Sequence, residues 1–126
     1  MLKFKFLLWV LTKLLQRAIR NNPECAKYVR GKRLIFQIRT IGGVGRYFTI
    51  ENGAVNSVAG ITKTPNFTMS FRDAARGFAT LSAKDGKEAF LAALHKEDLT
   101  ISGDFVEVMW FQGLTEYLQP SKKQEH

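Results

Sequence analysis

The sequence predicts an α+β domain with one five-stranded, mainly antiparallel sheet covered on one face by helices. Apolar and polar residues alternate in Phe67–Phe71, which is the pattern of a half-buried strand. Two helical segments, a short strand and a last helix follow this run, and three strand-like runs with short turns precede it. Because 126 residues is the size of one domain, we expect a single domain over residues 1–126.

Residues 1–20 are predicted to form an amphipathic helix. At about 100° per residue, eight apolar side chains share an arc of about 140°, which is wide enough to pack on a sheet. These side chains are Phe4, Leu7, Leu8, Leu11, Leu14, Leu15, Ala18 and Ile19. Leu2, Phe6, Trp9 and Val10 lie outside this arc. Something other than the domain's own core should therefore cover them.

An anionic membrane surface suits this second apolar patch, because Trp and Phe beside basic residues are typical of interfacial helices. The predicted membrane-contact residues are Lys3, Lys5, Phe6, Trp9 and Lys13. A second copy of the chain or a partner protein is the alternative, and the sequence leaves it open.

Residues 1–20 are expected to be neither a secretory signal nor a membrane span. The apolar run of residues 6–11 is short, Lys13 follows it, and no small-x-small cleavage site is present. The stretch is also too short and too charged to span a bilayer. Lone Cys25 fits a reducing compartment. We therefore expect a cytoplasmic protein that is peripheral to a membrane.

The middle of the chain is predicted to be an antiparallel meander. Pro23 ends the first helix, because it disfavours helical geometry at Asn22, and a short helix is expected over residues 24–29. Strands are expected over residues 34–39, 46–50, 54–59 and 67–71. A glycine-rich turn follows the first strand, and Asn52-Gly53 is a hairpin signal after the second.

The last part of the chain is predicted to contain three helices and one strand. The helices cover residues 73–82, 87–96 and 105–118, and the strand covers residues 99–101. Asp73 and Asp104 are the expected N-caps, because their side chains can accept hydrogen bonds from free backbone N–H groups. The polar tail, residues 120–126, is expected to be frayed.

Residues 66–118 carry ten large aromatic or methionine side chains, an excess that can indicate an adaptable apolar cavity, since ordinary cores rely on Leu, Ile and Val. A close-packed, Phe-rich core is the alternative. The candidate cavity wall is Phe36, Ile38, Phe48, Ile50, Phe67, Met69, Phe71, Phe78, Phe90, Trp110, Leu114 and Tyr117. Glu107 falls within the apolar arc of the last helix and is a candidate polar anchor for a ligand headgroup. A first-turn glutamate favoured by the helix dipole is its alternative interpretation.

No pattern predicts catalysis or a cofactor. Residues 42–45 lack the lysine and hydroxyl residue of a phosphate-binding loop. His95 is expected to be a solvated residue at a helix end, and His126 is too distant in sequence to form a metal-ligand pair with it. We therefore expect no catalytic residue, no bound metal and no cofactor.

The net charge of +8 favours an acidic partner, which is either nucleic acid or an anionic membrane. The Lys and Arg residues are scattered, and no RNA- or DNA-binding motif is present. We therefore expect no nucleic-acid partner, although a basic nucleic-acid-binding protein is the alternative from another class.

Four short motifs follow one another along the chain in an order and spacing that together are more specific than any one of them. They are Gly31-Lys32-x-Leu34-x-Phe36-x-Ile38, Glu51-Asn52-Gly53, Asn66-Phe67-Thr68-Met69-Ser70-Phe71, and Leu99-Thr100-Ile101-Ser102-Gly103-Asp104 before the last helix. Over residues 8–118 the chain thus resembles the type-2 sterol carrier protein family. The family often has Asp where this chain has Asn66.

This resemblance implies a five-stranded sheet with helices on one face and an apolar tunnel between them. The tunnel would hold a sterol, a fatty acyl chain or an isoprenoid, and no catalytic residue is implied. Some bacterial relatives assist the assembly of isoprenoid quinones, so the resemblance also implies a biosynthetic partner protein as an alternative.

Overall fold

A computed structural model describes residues 2–118, where helices and strands follow the predicted order. The helices are α1 (Leu2–Asn21), α2 (Pro23–Val29), α3 (Ala74–Leu81), α4 (Gly86–His95) and α5 (Phe105–Thr115), with a 3₁₀ turn at Glu116–Leu118. The strands are β1 (Leu34–Thr40), β2 (Gly45–Glu51), β3 (Ala54–Ala59), β4 (Phe67–Phe71) and β5 (Leu99–Gly103). The tail predicted to fray lies outside the described residues.

The five strands form one open sheet in the order β3-β2-β1-β4-β5. β1 pairs antiparallel with β2 and parallel with β4, and the β2–β3 and β4–β5 pairs are antiparallel. The predicted α+β fold with a mainly antiparallel sheet is therefore confirmed. The predicted meander of four strands is wrong, because it ends after β3. β1 and β4 are buried over most of their length while the edge strand β3 is largely exposed, so the two most buried strands are neighbours inside the sheet.

The connection from β3 to β4 is fastened to β1 by hydrogen bonds. The backbone N–H of Asn66 donates to the carbonyl of Ile35 at 2.6 Å, and its side-chain Oδ1 accepts from the N–H of Ile35 at 2.8 Å. Gln37 accepts from the N–H of Thr62 at 2.9 Å and donates to the hydroxyl of Thr68 at 3.0 Å. These bonds satisfy polar groups of the crossing segment and fix the parallel register of β1 and β4.

A row of phenylalanine rings crosses the sheet on the face that the helices cover. The strand registers place Phe48, Phe36 and Phe67 side by side, and the Phe36 ring lies 4.9 Å from Phe48 and 5.0 Å from Phe67. Phe111 of α5 packs on this row, with its ring centre 4.6 Å from that of Phe36. Buried aromatic rings at these separations attract one another beyond simple area burial.

Part of the predicted apolar arc of α1 is buried in the core, and part of it is exposed. Phe4, Leu8 and Leu15 are buried, but Leu14 is 43% exposed, so the expectation that the whole arc packs on the sheet is wrong. Thr12 is buried instead, and its hydroxyl lies 2.8 Å from that of Ser57 in β3. The helix thus crosses β2 and β3 near the edge of the sheet, and one flank of its arc extends beyond the core.

α1 and α3 approach closely at Gly77. A Cβ atom on Gly77 would lie 2.6 Å from the ring of Phe4 and 3.2 Å from that of Phe71. Both rings are fully buried, so neither can move away from a larger side chain. The glycine therefore sets the separation of the two helices at this point.

Aspartates begin the three later helices. Asp73 accepts from the N–H of Arg76 at 2.8 Å, and Asp104 accepts from the N–H of Val106 at 3.0 Å, so both predicted caps are confirmed. Asp85 is a third cap, which accepts from Glu88 at 3.1 Å. The bond from the Arg76 N–H holds the pKa of Asp73 below its ordinary value.

Candidate functional site

A cavity of about 760 Å³, open to solvent on one side, lies among the helices. α1 and α5 form two of its walls, α3 with the α3–α4 turn and the start of α4 forms the third, and β4 reaches its floor. The lining residues are Leu7, Leu11, Leu14, Met69, Thr80, Leu81, Ala83, Lys84, Asp85, Gly86, Lys87, Phe90, Phe111, Gln112, Thr115, Glu116 and Leu118. An apolar cavity was expected between sheet and helices, but this one touches the sheet only at Met69 among the residues that the structure describes.

The buried part of the cavity lining is mostly apolar, and its exposed edge is mostly charged. Leu7 and Leu11, at positions i and i+4 of α1, line the cavity together with Leu81 of α3 and Phe90 of α4. The exposed residues of the lining are Leu14, Lys84, Asp85, Lys87 and Glu116, and they form the rim. This arrangement can enclose an apolar chain and leave a polar group at the solvent boundary.

Two of the predicted wall residues, Met69 and Phe90, line this cavity. The other predicted residues on the strands are in the close-packed core, as is Leu114: they are Phe36, Ile38, Phe48, Ile50, Phe67 and Phe71. Phe78, Trp110 and Tyr117 are partly buried and are not among the lining residues. A ligand-binding role for any of these side chains stays a prediction.

Sequence reasoning missed the wall that α1 provides. Leu7, Leu11 and Leu14 were assigned to packing on the sheet, and Phe111 was not proposed for the site. One signal was present: the apolar arc of about 140° exceeds the roughly 100° that a helix needs to cover a core. The surplus flank of the arc is the part that lines the cavity.

Glu107 does not line the cavity. Its carboxylate Oε1 is buried and lies 2.5 Å from Lys32 Nζ, and this ion pair provides its polar partner. Lys32 also lies over the ring of Trp110 at 4.9 Å, and Trp110 stacks on Tyr28 at 5.1 Å. The ion pair instead joins the connection between α2 and β1 to α5, away from the cavity mouth.

Glu107→Ala should lower the free energy of unfolding by on the order of 1 kcal/mol, because it leaves Lys32 without its partner in a mostly buried place. Binding of a fluorescent fatty acid should not change. Thermal denaturation and a fluorescence titration measure the two quantities. The reverse pattern, lost affinity at unchanged stability, would restore the anchor hypothesis.

The outer face of α1 carries the second apolar patch. Phe6 is 63% exposed and Trp9 is 44% exposed, which confirms that they lie outside the core. Their rings stack at 5.9 Å, and Lys13 Nζ lies 5.5 Å from the centre of the Trp9 ring. Residues 1–23 contain five Lys and Arg residues and no acidic residue. Within residues 2–118, no helix has the length and apolar character to cross a bilayer.

The described part of the chain shows no arrangement of side chains for holding a metal ion. No cluster of three or more His, Cys, Asp or Glu side chains is arranged to hold a metal ion between residues 2 and 118. Among the residues that the structure describes, the cavity lining contains no His or Cys side chain. What the cavity offers a ligand is therefore apolar surface with lysines, hydroxyls and carboxylates at its edge.

An α+β domain with an apolar cavity among its helices is the class that these observations define, and solved structures share its fold. A UbiJ-SCP2 ubiquinone synthesis protein superposes with a TM-score of 0.65 at 16% identity, over 91% of this chain and 98% of that one. A crystal structure of sterol carrier protein 2 gives a TM-score of 0.55 at 15% identity, over 86% and 93% of the two chains.

Sterol carrier protein 2 from Yarrowia lipolytica, in its apo form, gives a TM-score of 0.55 at 10% identity, over 88% of this chain and 91% of that one. No family model and no curated protein matches the sequence. The chain therefore has a sterol carrier protein 2-like fold, as the motif resemblance implied.

Proposed function

We propose that this protein is a non-catalytic lipid carrier of the cytoplasm, which holds a sterol, fatty acyl or isoprenoid lipid in its cavity and docks reversibly on membranes. The cavity carries this proposal. Its volume of about 760 Å³ is within the usual range of ligand sites, roughly 300–1,000 Å³. Its interior is lined by leucines, Met69, Phe90 and Phe111, so an apolar chain loses contact with water there.

Several polar side chains of the described lining are engaged in hydrogen bonds of the helices themselves. Asp85 is engaged as a helix cap, and the hydroxyls of Thr80 and Thr115 donate to the carbonyls of Arg76 and Gln112. A general base or nucleophile needs a partner within hydrogen-bond reach and a free reactive atom. The bonded polar side chains among the described lining residues therefore serve the local structure of the helices.

A blocked cavity gives the direct test. Ala83→Trp should reduce the affinity for a fluorescent fatty acid at least about tenfold, because the indole occupies space that the ligand needs. Ala75→Trp is the matched control, since Ala75 is exposed on α3 and does not line the cavity. Both variants should keep their melting temperature. Equal affinity of the two variants would contradict binding in this cavity.

A second candidate is an accessory factor that presents isoprenoid quinone intermediates to biosynthetic enzymes. The likeness to the UbiJ-SCP2 ubiquinone synthesis protein, which covers nearly all of both chains, favours it. Native mass spectrometry of protein purified from cells, followed by lipid extraction, separates the candidates. A prenylated aromatic compound supports the accessory factor, and a fatty acid or sterol supports the general carrier.

A further inference from the structure

We propose that the carboxamide of Gln112 is the polar anchor of the cavity, and that it binds the head of a lipid that ends in an uncharged hydroxyl or carbonyl group. Long-chain alcohols, prenols and sterols have such heads. This inference rests on the proposed carrier function and adds to it the chemical class of the head group. The anchoring role that the sequence suggested for Glu107 would thus belong to Gln112, on the same helix.

Gln112 lies on the flank of α5 that faces the cavity. Phe111, the residue before it, packs on the phenylalanine row of the sheet, and each further residue of a helix is turned by about 100°. Gln112 therefore lines the cavity beside Phe111, one helical turn before Glu116 on the rim. Gln112 is half-buried whereas Glu116 is exposed, so Gln112 lies deeper than the rim.

The carboxamide of Gln112 is open to a ligand. Within residues 2–118 it has no hydrogen-bond partner, and only the backbone carbonyl of this residue is engaged. The hydroxyls of Thr80 and Thr115 donate to the carbonyls of Arg76 and Gln112 at 2.9 and 2.8 Å, so their oxygens are left to accept. Gln112 can both donate to a ligand and accept from it.

An uncharged head group suits these partners. A hydroxyl group both donates and accepts a hydrogen bond, and a carbonyl group accepts one from the amide NH₂. The lining on either side of Gln112 includes Phe90 and Phe111, which are buried. A lipid chain that fills this space displaces water from the amide, and an amide without a partner is unfavourable there. A hydroxyl at the same depth restores the hydrogen bonds that the water made.

A carboxylate head has a different place in the cavity. Lys84 and Lys87 are exposed on the rim, and they are the only cations among the lining residues that the structure describes. Hydrogen bonds between charged groups are stronger than neutral ones, so a carboxylate should bind at the rim. A fatty acid would then leave only its chain beside Gln112, and its affinity should not depend on the carboxamide.

Gln112→Met tests this difference, because methionine has a similar length and lacks the amide. Hexadecanol and palmitate have the same chain length, and each can displace bound anthroyloxy-stearate in a fluorescence titration. The variant should bind hexadecanol about tenfold more weakly than the parent protein does, and its affinity for palmitate should stay within about twofold. Gln112→Leu, which also lacks the amide, should show the same selective loss.

Gln16→Met is the matched control. Gln16 donates to the carbonyl of Val55 at 2.8 Å and is not among the described lining residues. The substitution makes the same chemical change outside the cavity, so both affinities should equal those of the parent protein. The titrations are run well below the melting temperature of each variant, which differential scanning fluorimetry gives.

The outcomes separate this inference from the carrier function. If both Gln112 variants lose affinity for hexadecanol and palmitate equally, or for neither, the carboxamide does not bind the head group and the inference is overturned. The carrier function would still stand, because the parent protein binds these lipids. If the parent protein binds neither hexadecanol, palmitate nor anthroyloxy-stearate, the proposed function itself is overturned.

Discussion

Replacing Phe6 and Trp9 together by serine should weaken binding to anionic vesicles about ten- to a hundredfold and leave the melting temperature nearly unchanged. Both rings lie outside the core, so the folded domain loses little apart from their mutual stacking at 5.9 Å. Complete burial of each ring in a membrane interface would contribute roughly 1.5–3 kcal/mol. Vesicle sedimentation and differential scanning fluorimetry measure the two effects.

Phe4→Ser is the matched control on the same helix. Phe4 is fully buried against Phe71 and Gly77, and its loss should lower the free energy of unfolding by about 3–5 kcal/mol. If the Phe6 and Trp9 variant stays folded, binds vesicles as before and loses a dimer, the outer patch is a protein contact. If that variant unfolds, the two faces of α1 are wrongly assigned.

Phe36→Ala should be among the most damaging substitutions in the chain. The ring of Phe36 contacts those of Phe48, Phe67 and Phe111, and its removal should cost about 3–5 kcal/mol. A domain of this size has about 5–15 kcal/mol of stability in total, so the variant should lose a large part of its stability and melt at a clearly lower temperature.

Chemical denaturation measures this loss, and Phe105→Ala is its control. Phe105 is an exposed phenylalanine at the start of α5, and its loss should change stability by less than about 0.5 kcal/mol. A Phe36→Ala protein of normal stability that no longer binds a fluorescent fatty acid would instead place Phe36 in the ligand wall, as its position in the sequence suggested.

The sequence predicts the elements of this fold well because their signals are local. β3 and β4 have the expected bounds, since an Asn-Gly hairpin and the alternation in Phe67–Phe71 define them. The parallel pairing of β1 with β4 was not predicted. It depends on contacts between strands about thirty residues apart, such as Asn66 with Ile35, and no local pattern reports them.

The candidate site was harder to predict for a related reason. Large aromatic residues on strands can line a cavity or fill a core, and composition does not distinguish these outcomes. In the structure the rings of Phe36, Phe48 and Phe67 pack against one another and leave no room for a ligand between them. The cavity lies in a gap between helices from distant parts of the chain. Its wall therefore includes leucines such as Leu7 and Leu81, which no local pattern distinguishes from core leucines.

The walls of the cavity come from two halves of the chain. α1 precedes β1 in the chain, whereas α3, α4 and α5 come after β4. The parallel pairing of β1 with β4 joins these two halves in the sheet. Beside Gly77, α1 meets α3 with no room for one more carbon atom, while Leu14, about 15 Å further along α1, borders an opening. Hydrogen bonds of Thr12 with Ser57 and of Gln16 with the carbonyl of Val55 hold α1 to β3 on both sides of Leu14. The α1 wall should therefore keep its place on the sheet when a ligand enters.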